Sequence, residues 1–211
     1  MRFNIKRQET YSKSELLLRT FLGFFYILIP HYFVLVFYSI GWMFVSLGIF
    51  FSILFTRSFP KSLFDYQVKL FRYMIRLSAR LYNLSDGYPG FSLDSEDENT
   101  YYDMEYTPTV LRRTMLVRTF FGAILLLPHL IILILRSIVV LFIIFISFFA
   151  ILFTGEYPEN MFKFMVEQMR WSYRVNNWMY FFTPDYPPFH GRELPEESME
   201  NQNEINHLVE D

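Results

Sequence analysis

Two histidines are the residues of this chain best suited to carry chemistry. His31 and His129 each follow a proline inside a long apolar stretch. A histidine within a membrane segment is a candidate functional residue, because burying an ionisable group in lipid is costly. The pair could ligate a haem iron, relay protons or hydrogen-bond a quinone. The structural alternative is that each imidazole satisfies the carbonyl freed by the adjacent proline.

The histidines are equivalent positions of an internal duplication. A shift of 98 superimposes residues 30–91 on residues 128–189 without a gap, whereas Arg19 matches Arg118 at a shift of 99. One residue was therefore gained or lost between these anchor points. Copying one structural Pro-His pair yields two automatically, so the duplication favours the structural interpretation.

The elements that carry the histidines are unusually apolar. Of the 211 residues, 53% are hydrophobic and 21% are aromatic. Residues 16–55 contain only one charged residue and one histidine, and residues 115–153 contain Arg118, His129 and Arg136. Such runs predict membrane-embedded helices, since a soluble core helix needs a polar face.

Each run is too long for one straight crossing, because about 40 helical residues span roughly 60 Å, twice the bilayer core. We predict that each run folds back, at residues 38–41 and 136–137. A crossing hairpin and a re-entrant hairpin both remain open, and both give parallel repeats about an axis along the membrane normal. At a hairpin tip, Arg136 would reach the far headgroups.

An amphipathic helix is predicted after each hairpin, over residues 60–83 and 158–182. Pro60 and Pro158 stand where these helices begin. Charged residues, most of them basic, recur every three or four positions on one face, which predicts an in-plane helix at the membrane surface. The predicted lipid-headgroup ligands are Lys61, Lys69, Arg72, Arg76, Arg80, Arg170 and Arg174.

An aromatic and proline motif ends each repeat, Tyr-Pro-Gly-Phe at 88–91 and Tyr-Pro-Pro-Phe at 186–189. Such residues are typical of anchors at the membrane interface, although a docking surface for a partner is also open. Together with two tryptophans of the second amphipathic helix, the predicted anchor or docking residues are Tyr88, Pro89, Phe91, Trp171, Trp178, Tyr186, Pro187, Pro188 and Phe189.

These features predict an all-α integral membrane protein with two parallel tandem repeats, each a membrane hairpin followed by an interfacial amphipathic helix. Basic residues flank the apolar runs, so the positive-inside rule predicts that both termini are cytoplasmic. The acidic segments are expected to be flexible or partly disordered. The predicted divisions are a basic N-terminus (1–15), repeat 1 (16–91, hairpin 16–55), an acidic linker (92–110), repeat 2 (111–190, hairpin 115–153) and an acidic tail (191–211).

No pattern of catalytic residues accompanies this organisation. The chain has no cysteine, which excludes disulfides, thiolate catalysis and cysteine metal sites. It also lacks a phosphate-binding glycine loop, a nucleophile elbow and a His-x-x-x-His zinc spacing. We therefore expect no enzyme activity, no metal and no cofactor, apart from haem in the alternative above. The basic residues are better explained by lipid than by nucleic acid.

A longer motif resembles a family of uncharacterised prokaryotic membrane proteins known as a domain of unknown function. It comprises Pro128-His129, Leu-Phe-Thr-Gly-x-Tyr-Pro at 152–158, Arg170-Trp171 with Arg174-Val175, and residues 186–189. The first repeat departs from it at three positions, with Tyr73, Arg57 and Gly90. The resemblance implies a bacterial inner-membrane protein and brings no catalytic residues.

The sequence thus predicts a non-enzymatic accessory or scaffold subunit of a larger inner-membrane complex, in contact with lipid headgroups and partner subunits. The alternative is a redox or proton-handling subunit that uses His31 and His129 with haem or a quinone.

Overall fold

The computed structural model describes residues 1–197, and it is mostly helical; the predicted tail residues 198–211 lie outside this range. Two long helices, each made of two segments, dominate the described chain. In chain order the elements are β1 (Arg2–Ile5), α1 (Lys13–Gly23), a π-helical turn (Phe24–Leu28), α2 (Ile29–Thr56), α3 (Lys61–Leu81), β2 (Thr100–Asp103), α4 (Arg112–Leu125), α5 (Leu127–Thr154), α6 (Glu159–Met179) and a 3-10 turn (Pro195–Glu197).

The first long helix is continuous from Lys13 to Thr56, 44 residues in all. Its π-helical turn accommodates the one residue by which the repeats differ in length. The spacing from Arg19 to His31 exceeds that from Arg118 to His129 by one residue, and a π turn is an α-helix with one residue inserted. The insertion therefore leaves the two ends of the repeat in equivalent positions.

The predicted hairpin turns are wrong, because residues 38–41 lie inside α2 and residues 136–137 lie inside α5. Gly41 stays helical and meets a neighbour: a Cβ at this position would lie 2.4 Å from the Tyr66 hydroxyl. That hydroxyl donates to the Tyr38 carbonyl at 3.0 Å. The Ser137 hydroxyl donates to its own helix, to the Ile134 carbonyl. Gly41 thus allows close packing of α3 on α2, and neither Gly41 nor Ser137 breaks its helix.

Both amphipathic helices begin where predicted, with Pro60 and Pro158 as the residues that precede their first turns. α3 then runs antiparallel along α2, because Leu63 lies against Gly48 while Tyr73 reaches His31. α6 runs along α5 in the same way. The helices bury about half of their residues, so they form a middle layer of the fold.

A third layer covers the other face of α3 and α6. β1 pairs antiparallel with β2, and Phe3 stands opposite Tyr102. Phe3 stacks on Tyr173 with ring centroids 5.8 Å apart, and the Tyr102 hydroxyl lies 2.7 Å from the Asn177 side-chain oxygen. The acidic linker therefore supplies an ordered strand and is not a flexible connection.

The repeats interlock through equivalent contacts in both directions. The Tyr11 amide donates to the Gly155 carbonyl at 2.8 Å, and the Val110 amide donates to the Arg57 carbonyl at 3.0 Å. Arg57 and Gly155 follow the ends of α2 and α5 and both have left-handed backbones, with φ of 61° and 79°. Each repeat thus binds the segment that precedes the other, as a pseudo-two-fold relation requires.

Candidate functional site

Each candidate histidine lies inside a cage made by the aromatic motif of its own repeat. His31 and His129 are both fully buried. Phe91 stacks on the His31 ring with centroids 4.5 Å apart, and Phe189 stacks on His129 at 3.9 Å. The rings of Tyr88 and Tyr186 complete the cages at 5.4 and 5.0 Å. These aromatics remain about half exposed, so only their outer faces are available as anchors.

The hydrogen bond at Nδ1 differs between the two cages. The Trp171 indole N–H donates to His129 Nδ1 at 2.9 Å, and the Tyr73 hydroxyl lies 2.6 Å from His31 Nδ1. Indole nitrogen is only a donor, so His129 Nδ1 is an acceptor and the proton of the neutral ring is on Nε2. The tyrosine hydroxyl takes either role. His129 Nε2 has no hydrogen-bond partner among the described residues, whereas the His31 ring interacts with the backbone of Pro89.

The tyrosines of the cages, and not the histidines, satisfy the carbonyls near the prolines. The Tyr88 hydroxyl donates to the Tyr26 carbonyl at 3.0 Å. Tyr26 precedes Pro30 by four residues, so this carbonyl lacks its usual helical partner. The Tyr186 hydroxyl donates to the Leu125 carbonyl at 2.7 Å, where α4 ends. The aromatic motif therefore fixes the junction between the two segments of each long helix.

Trp178 supports the second cage, and the aromatic motif of each cage includes a buried proline. Trp178 packs against Tyr186 with centroids 5.5 Å apart, and it also lies under the guanidinium of Arg118 at 4.4 Å. Pro89 and Pro187 are buried, and Pro188 is partly buried. These predicted docking residues thus contribute mainly to packing within the chain.

The cationic face of α3 is a protein interface and is mostly unavailable to lipid headgroups. Arg76 is 3% exposed and donates to the carbonyls of Ser92 and Ser95. Arg80 pairs with Asp97 at 2.6 Å, with both side chains 6% exposed. Burial lowers the pKa of the Arg76 guanidinium, and the charge of Asp97 opposes that shift. The acidic linker is therefore the partner of this face.

The equivalent arginines of α6 hold the residues that follow the second cage. Arg170 donates to the carbonyls of Gly191 at 3.0 Å and Phe3 at 3.2 Å. Arg174 donates to the His190 carbonyl and pairs with the Glu197 carboxylate. Arg76, Arg80, Arg170 and Arg174 are therefore buried against the chain itself and are not presented to lipid headgroups as predicted.

The other predicted cations are more exposed but also paired. Arg72 donates to the Tyr102 carbonyl and pairs with Asp103. The exposed pairs of α3 are Lys61 with Asp65 and Lys69 with Asp94.

Arg136 does not reach the far headgroups. Its Nε donates to the Gln168 side-chain oxygen at 2.8 Å, and its guanidinium lies 4.1 Å from the Phe164 ring centroid. Arg136 thus joins α5 to α6 about a third of the way along α5. The prediction assumed a turn at this position, and the helix continues through it.

Arg19 and Arg118 are structural residues that were not among the predicted site residues. Arg19 pairs with Asp86 at 2.9 Å and donates to the Ser85 carbonyl. Arg118 donates to the carbonyls of Thr183 and Pro184 at 2.7 and 2.6 Å. Each buried guanidinium holds the loop that leads from α3 or α6 to the cage. Their matched positions as rare charges in two apolar runs were the available signal.

A cavity of about 890 Å³ lies between the repeats, bounded by α2, α3, α5 and α6; we call it the repeat cavity. Its lining is mixed, with aromatic, methionine and small polar side chains. Met74 and Ser78 contribute from α3, and Ser172 and Asn176 are their equivalents on α6. The volume is within the range of about 300–1,000 Å³ that small-molecule sites occupy.

Comparison with known families supports the duplication. The model of the domain of unknown function DUF4389 matches residues 15–92 and again residues 116–190. The two matches correspond to the two repeats and together cover most of the chain. No curated protein and no solved structure matches the chain.

Proposed function

Because the chain belongs to the family of the domain of unknown function DUF4389, we propose a function from its own geometry, that of a non-enzymatic accessory or scaffold subunit of the bacterial inner membrane. One observation carries the proposal. The exposed large apolar side chains lie on the two long helices, apart from Met74, Tyr88, Phe91, Tyr101, Leu111, Tyr186 and Phe189.

The exposed apolar surface follows one face of each long helix. Both helices are long and apolar enough to cross a membrane. On α2 the exposed positions recur every three or four residues, and those on α5 do the same. An apolar face of this length exceeds what soluble monomers usually expose. Representative members, each more than 45% exposed, are Phe33, Phe37, Ile40, Phe44, Leu47, Leu141, Phe142 and Phe145.

The position of an exposed ion pair favours long helices that lie along the membrane plane, within one leaflet. Lys69 and Asp94 pair with side-chain exposures of 42% and 70%. Lys69 lies between Tyr66, which contacts Tyr38, and Tyr73, which contacts His31. The charges are therefore level with the middle of the first long helix. If that helix crossed the bilayer upright, they would stand near its centre at high cost.

The helix length supports the same orientation. A 44-residue helix is roughly 66 Å long, about twice the bilayer core. An in-plane helix has no such mismatch, and a helix with one apolar face and one covered polar side suits the interface. In this arrangement α3, α6 and the sheet lie on the aqueous side. Both termini would then share the cytoplasmic side, as the positive-inside rule predicts.

Exposed cations at the ends of the long helices are better headgroup ligands than the buried arginines. The Lys13 ammonium lies 3.2 Å from the Phe153 carbonyl, and Arg112 donates to the Phe55 carbonyl. Arg57 and Arg113 are exposed beside them. Each such cation near an anionic surface contributes about 1 kcal/mol of attraction.

The redox or proton-handling alternative has less support. A histidine that ligates metal through Nε2 usually donates its other ring N–H to an acceptor. His129 Nδ1 instead accepts from Trp171, which places the ring proton on Nε2, where a ligand needs a lone pair. Tyr73 and Trp171, which contact the two histidines at Nδ1, also belong to separate hydrophobic clusters, and this separation gives no support to one cofactor shared by both histidines.

The orientation can be tested with spin labels, because the chain has no native cysteine. Phe37→Cys and Phe142→Cys should place labels in the hydrocarbon of phosphatidylglycerol-containing vesicles. Lys69→Cys is the matched control on the aqueous layer, and oxygen and nickel-chelate relaxation reports the depth of each label. A water-exposed label at Phe37 would remove the membrane proposal, while a label deep in the bilayer at Lys69 would restore a crossing topology.

The scaffold role requires its own measurement. Affinity purification of the full chain from native membranes, followed by mass spectrometry, should recover the same membrane subunits in repeated preparations. An absorption spectrum distinguishes the accessory role from the haem-binding alternative. A Soret band lost in His31→Ala or His129→Ala would overturn the accessory role, whereas a colourless preparation would remove the haem version.

A further inference from the structure

We propose that the repeat cavity binds one uncharged lipid, with its hydrocarbon chain near the membrane-facing side and its small hydrogen-bonding head toward α6. The inference rests on the proposed membrane attachment, and it adds a ligand site to it. The cavity lies where the two repeats meet, so neither repeat forms it alone.

The entrance to the repeat cavity is continuous with the proposed bilayer-facing surface. Tyr32, Val36, Ile40 and Met43 line the cavity, and all four are more than 40% exposed. They recur every three or four residues along α2, over roughly 16 Å of helix. A hydrocarbon chain can therefore pass from the leaflet into the cavity along apolar side chains, without crossing a charged barrier.

The chemistry of the lining selects against a charged ligand. Within the described chain, no Asp, Glu, Lys, Arg or His lines the repeat cavity. An ionised headgroup inside would lack a counter-charge, and burying an unpaired charge is very costly. Met43, Met74, Met165 and Met169 contribute flexible thioethers that adapt to a chain of irregular shape. The lining thus suits a hydrocarbon chain with an uncharged head.

The two repeats differ at several equivalent positions of α3 and α6 that face the cavity, which gives it a polar side. Leu70, Met74 and Ser78 line it from α3, whereas their equivalents on α6 are Gln168, Ser172 and Asn176. Another pair of the lining, Tyr82 with Tyr180, is identical in the two repeats. The lining is therefore more polar on α6 than on α3, and this asymmetry suits a ligand with one polar end.

The polar side retains hydrogen-bonding capacity for a small head. The Ser172 hydroxyl donates to the Gln168 carbonyl at 3.0 Å, and its oxygen still has lone pairs to accept. The Asn176 side chain donates one N–H to the Ser172 carbonyl at 2.8 Å, which leaves a second N–H and its oxygen. A hydroxyl or a carbonyl of the ligand can bond to this pair. Diacylglycerols and isoprenoid quinones both have this chemistry.

Photo-crosslinking distinguishes diacylglycerols from isoprenoid quinones as the ligand. The full chain is reconstituted in vesicles of phosphatidylethanolamine and phosphatidylglycerol that contain either a photoreactive diacylglycerol or a photoreactive isoprenoid quinone. We expect one of the probes to label peptides of α3 and α6. Met74→Trp and Ser172→Trp fill the cavity from opposite sides, and each should reduce this labelling to background. Leu47→Trp is the matched control, because Leu47 is exposed on α2 and does not line the cavity.

Vesicle flotation keeps failure of this inference distinct from failure of the membrane proposal. All three variants should float with vesicles as the parent chain does. Two outcomes with normal flotation would overturn the cavity site. In the first, labelling of α3 and α6 persists in both Met74→Trp and Ser172→Trp. In the second, labelling of α3 and α6 never exceeds labelling of the outer face of α2. Loss of flotation by the parent chain would instead overturn the membrane attachment.

Discussion

The indole nitrogen of Trp171 lies 2.9 Å from Nδ1 of His129, and it can only act as the donor of this hydrogen bond. The equivalent position in the first repeat is Tyr73, whose hydroxyl lies 2.6 Å from His31. Two different side chains thus form a hydrogen bond with the same ring atom in the two cages. This substitution within the duplication offers a direct test of what the bond contributes.

Trp171→Phe should destabilise the protein, because it leaves His129 Nδ1 buried without a donor. The loss of that bond should cost about 1–3 kcal/mol, measured by thermal unfolding in a neutral detergent. Trp171→Tyr copies the first repeat and should be clearly less damaging than Trp171→Phe. Equal losses in the two variants would mean that ring volume, and not the hydrogen bond, sets the stability of the cage.

Arg57→Gly should stabilise the protein. Arg57 has a φ of 61°, and its equivalent in the second repeat is Gly155. A left-handed backbone at a residue with a side chain costs about 1 kcal/mol that glycine avoids. Gly155→Ala is the reciprocal change and should lower stability by a similar amount. Both melting temperatures are measured in an uncharged detergent, so that attraction of the Arg57 charge to an anionic surface does not contribute to the difference. A lower melting temperature for Arg57→Gly would contradict this account of the turn.

Alkaline unfolding should depend on Tyr73. Burial raises the pKa of this phenol to about 12, while an unfolded tyrosine titrates near 10. Between these values the unfolded state releases a proton that the folded state keeps, so stability falls as pH rises by about 1.4 kcal/mol per pH unit. Below pH 10 the contribution of Tyr73 is constant.

Tyr73→Phe should therefore reduce the slope of stability against pH between 10 and 12, even though it also lowers stability at neutral pH by removing the His31 bond. Denaturant unfolding at several pH values measures this slope. Tyr101→Phe, at an exposed tyrosine, is the control. An unchanged slope in Tyr73→Phe would show that other groups cause the alkaline loss.

Gly191→Ala should release the segment that follows the second cage. A Cβ at this position would lie 1.7 Å from the Glu167 carbonyl oxygen, which is a backbone atom that cannot move aside. Arg170 would lose the Gly191 carbonyl as an acceptor. Limited proteolysis should cleave this segment faster in the variant. His190→Ala is the control, because Arg174 uses only the backbone carbonyl of His190; faster cleavage there as well would point to general loosening.

Local patterns in the sequence determined several features without the fold. The duplication is as predicted, and α3 and α6 begin directly after Pro60 and Pro158, within one residue of the predicted starts, because proline geometry and helical periodicity are local properties. The one-residue difference between the repeats was also visible in the sequence. Its accommodation by the π-helical turn was not, since an insertion can equally fall in a loop.

The partners of the cationic faces could not be predicted from local sequence patterns. The spacing of Arg76 and Arg80 identified the face correctly, yet spacing does not specify a partner. Acidic residues far along the chain, such as Asp97, compete with lipid phosphate for the same guanidinium groups. The competition is decided by which group the folded chain brings close, and the ordered linker brings Asp97.

The sequence by itself determined that two apolar helical units exist and that each carries a Pro-His pair and an aromatic end. Only the tertiary structure decided that Phe91 and Phe189 close over the histidines and that the long helices continue where turns were expected. The physical reason is that helix formation follows from near neighbours in the chain. Ring stacking, arginine pairing and the repeat cavity depend instead on contacts between residues far apart in sequence, which form only when both repeats pack together.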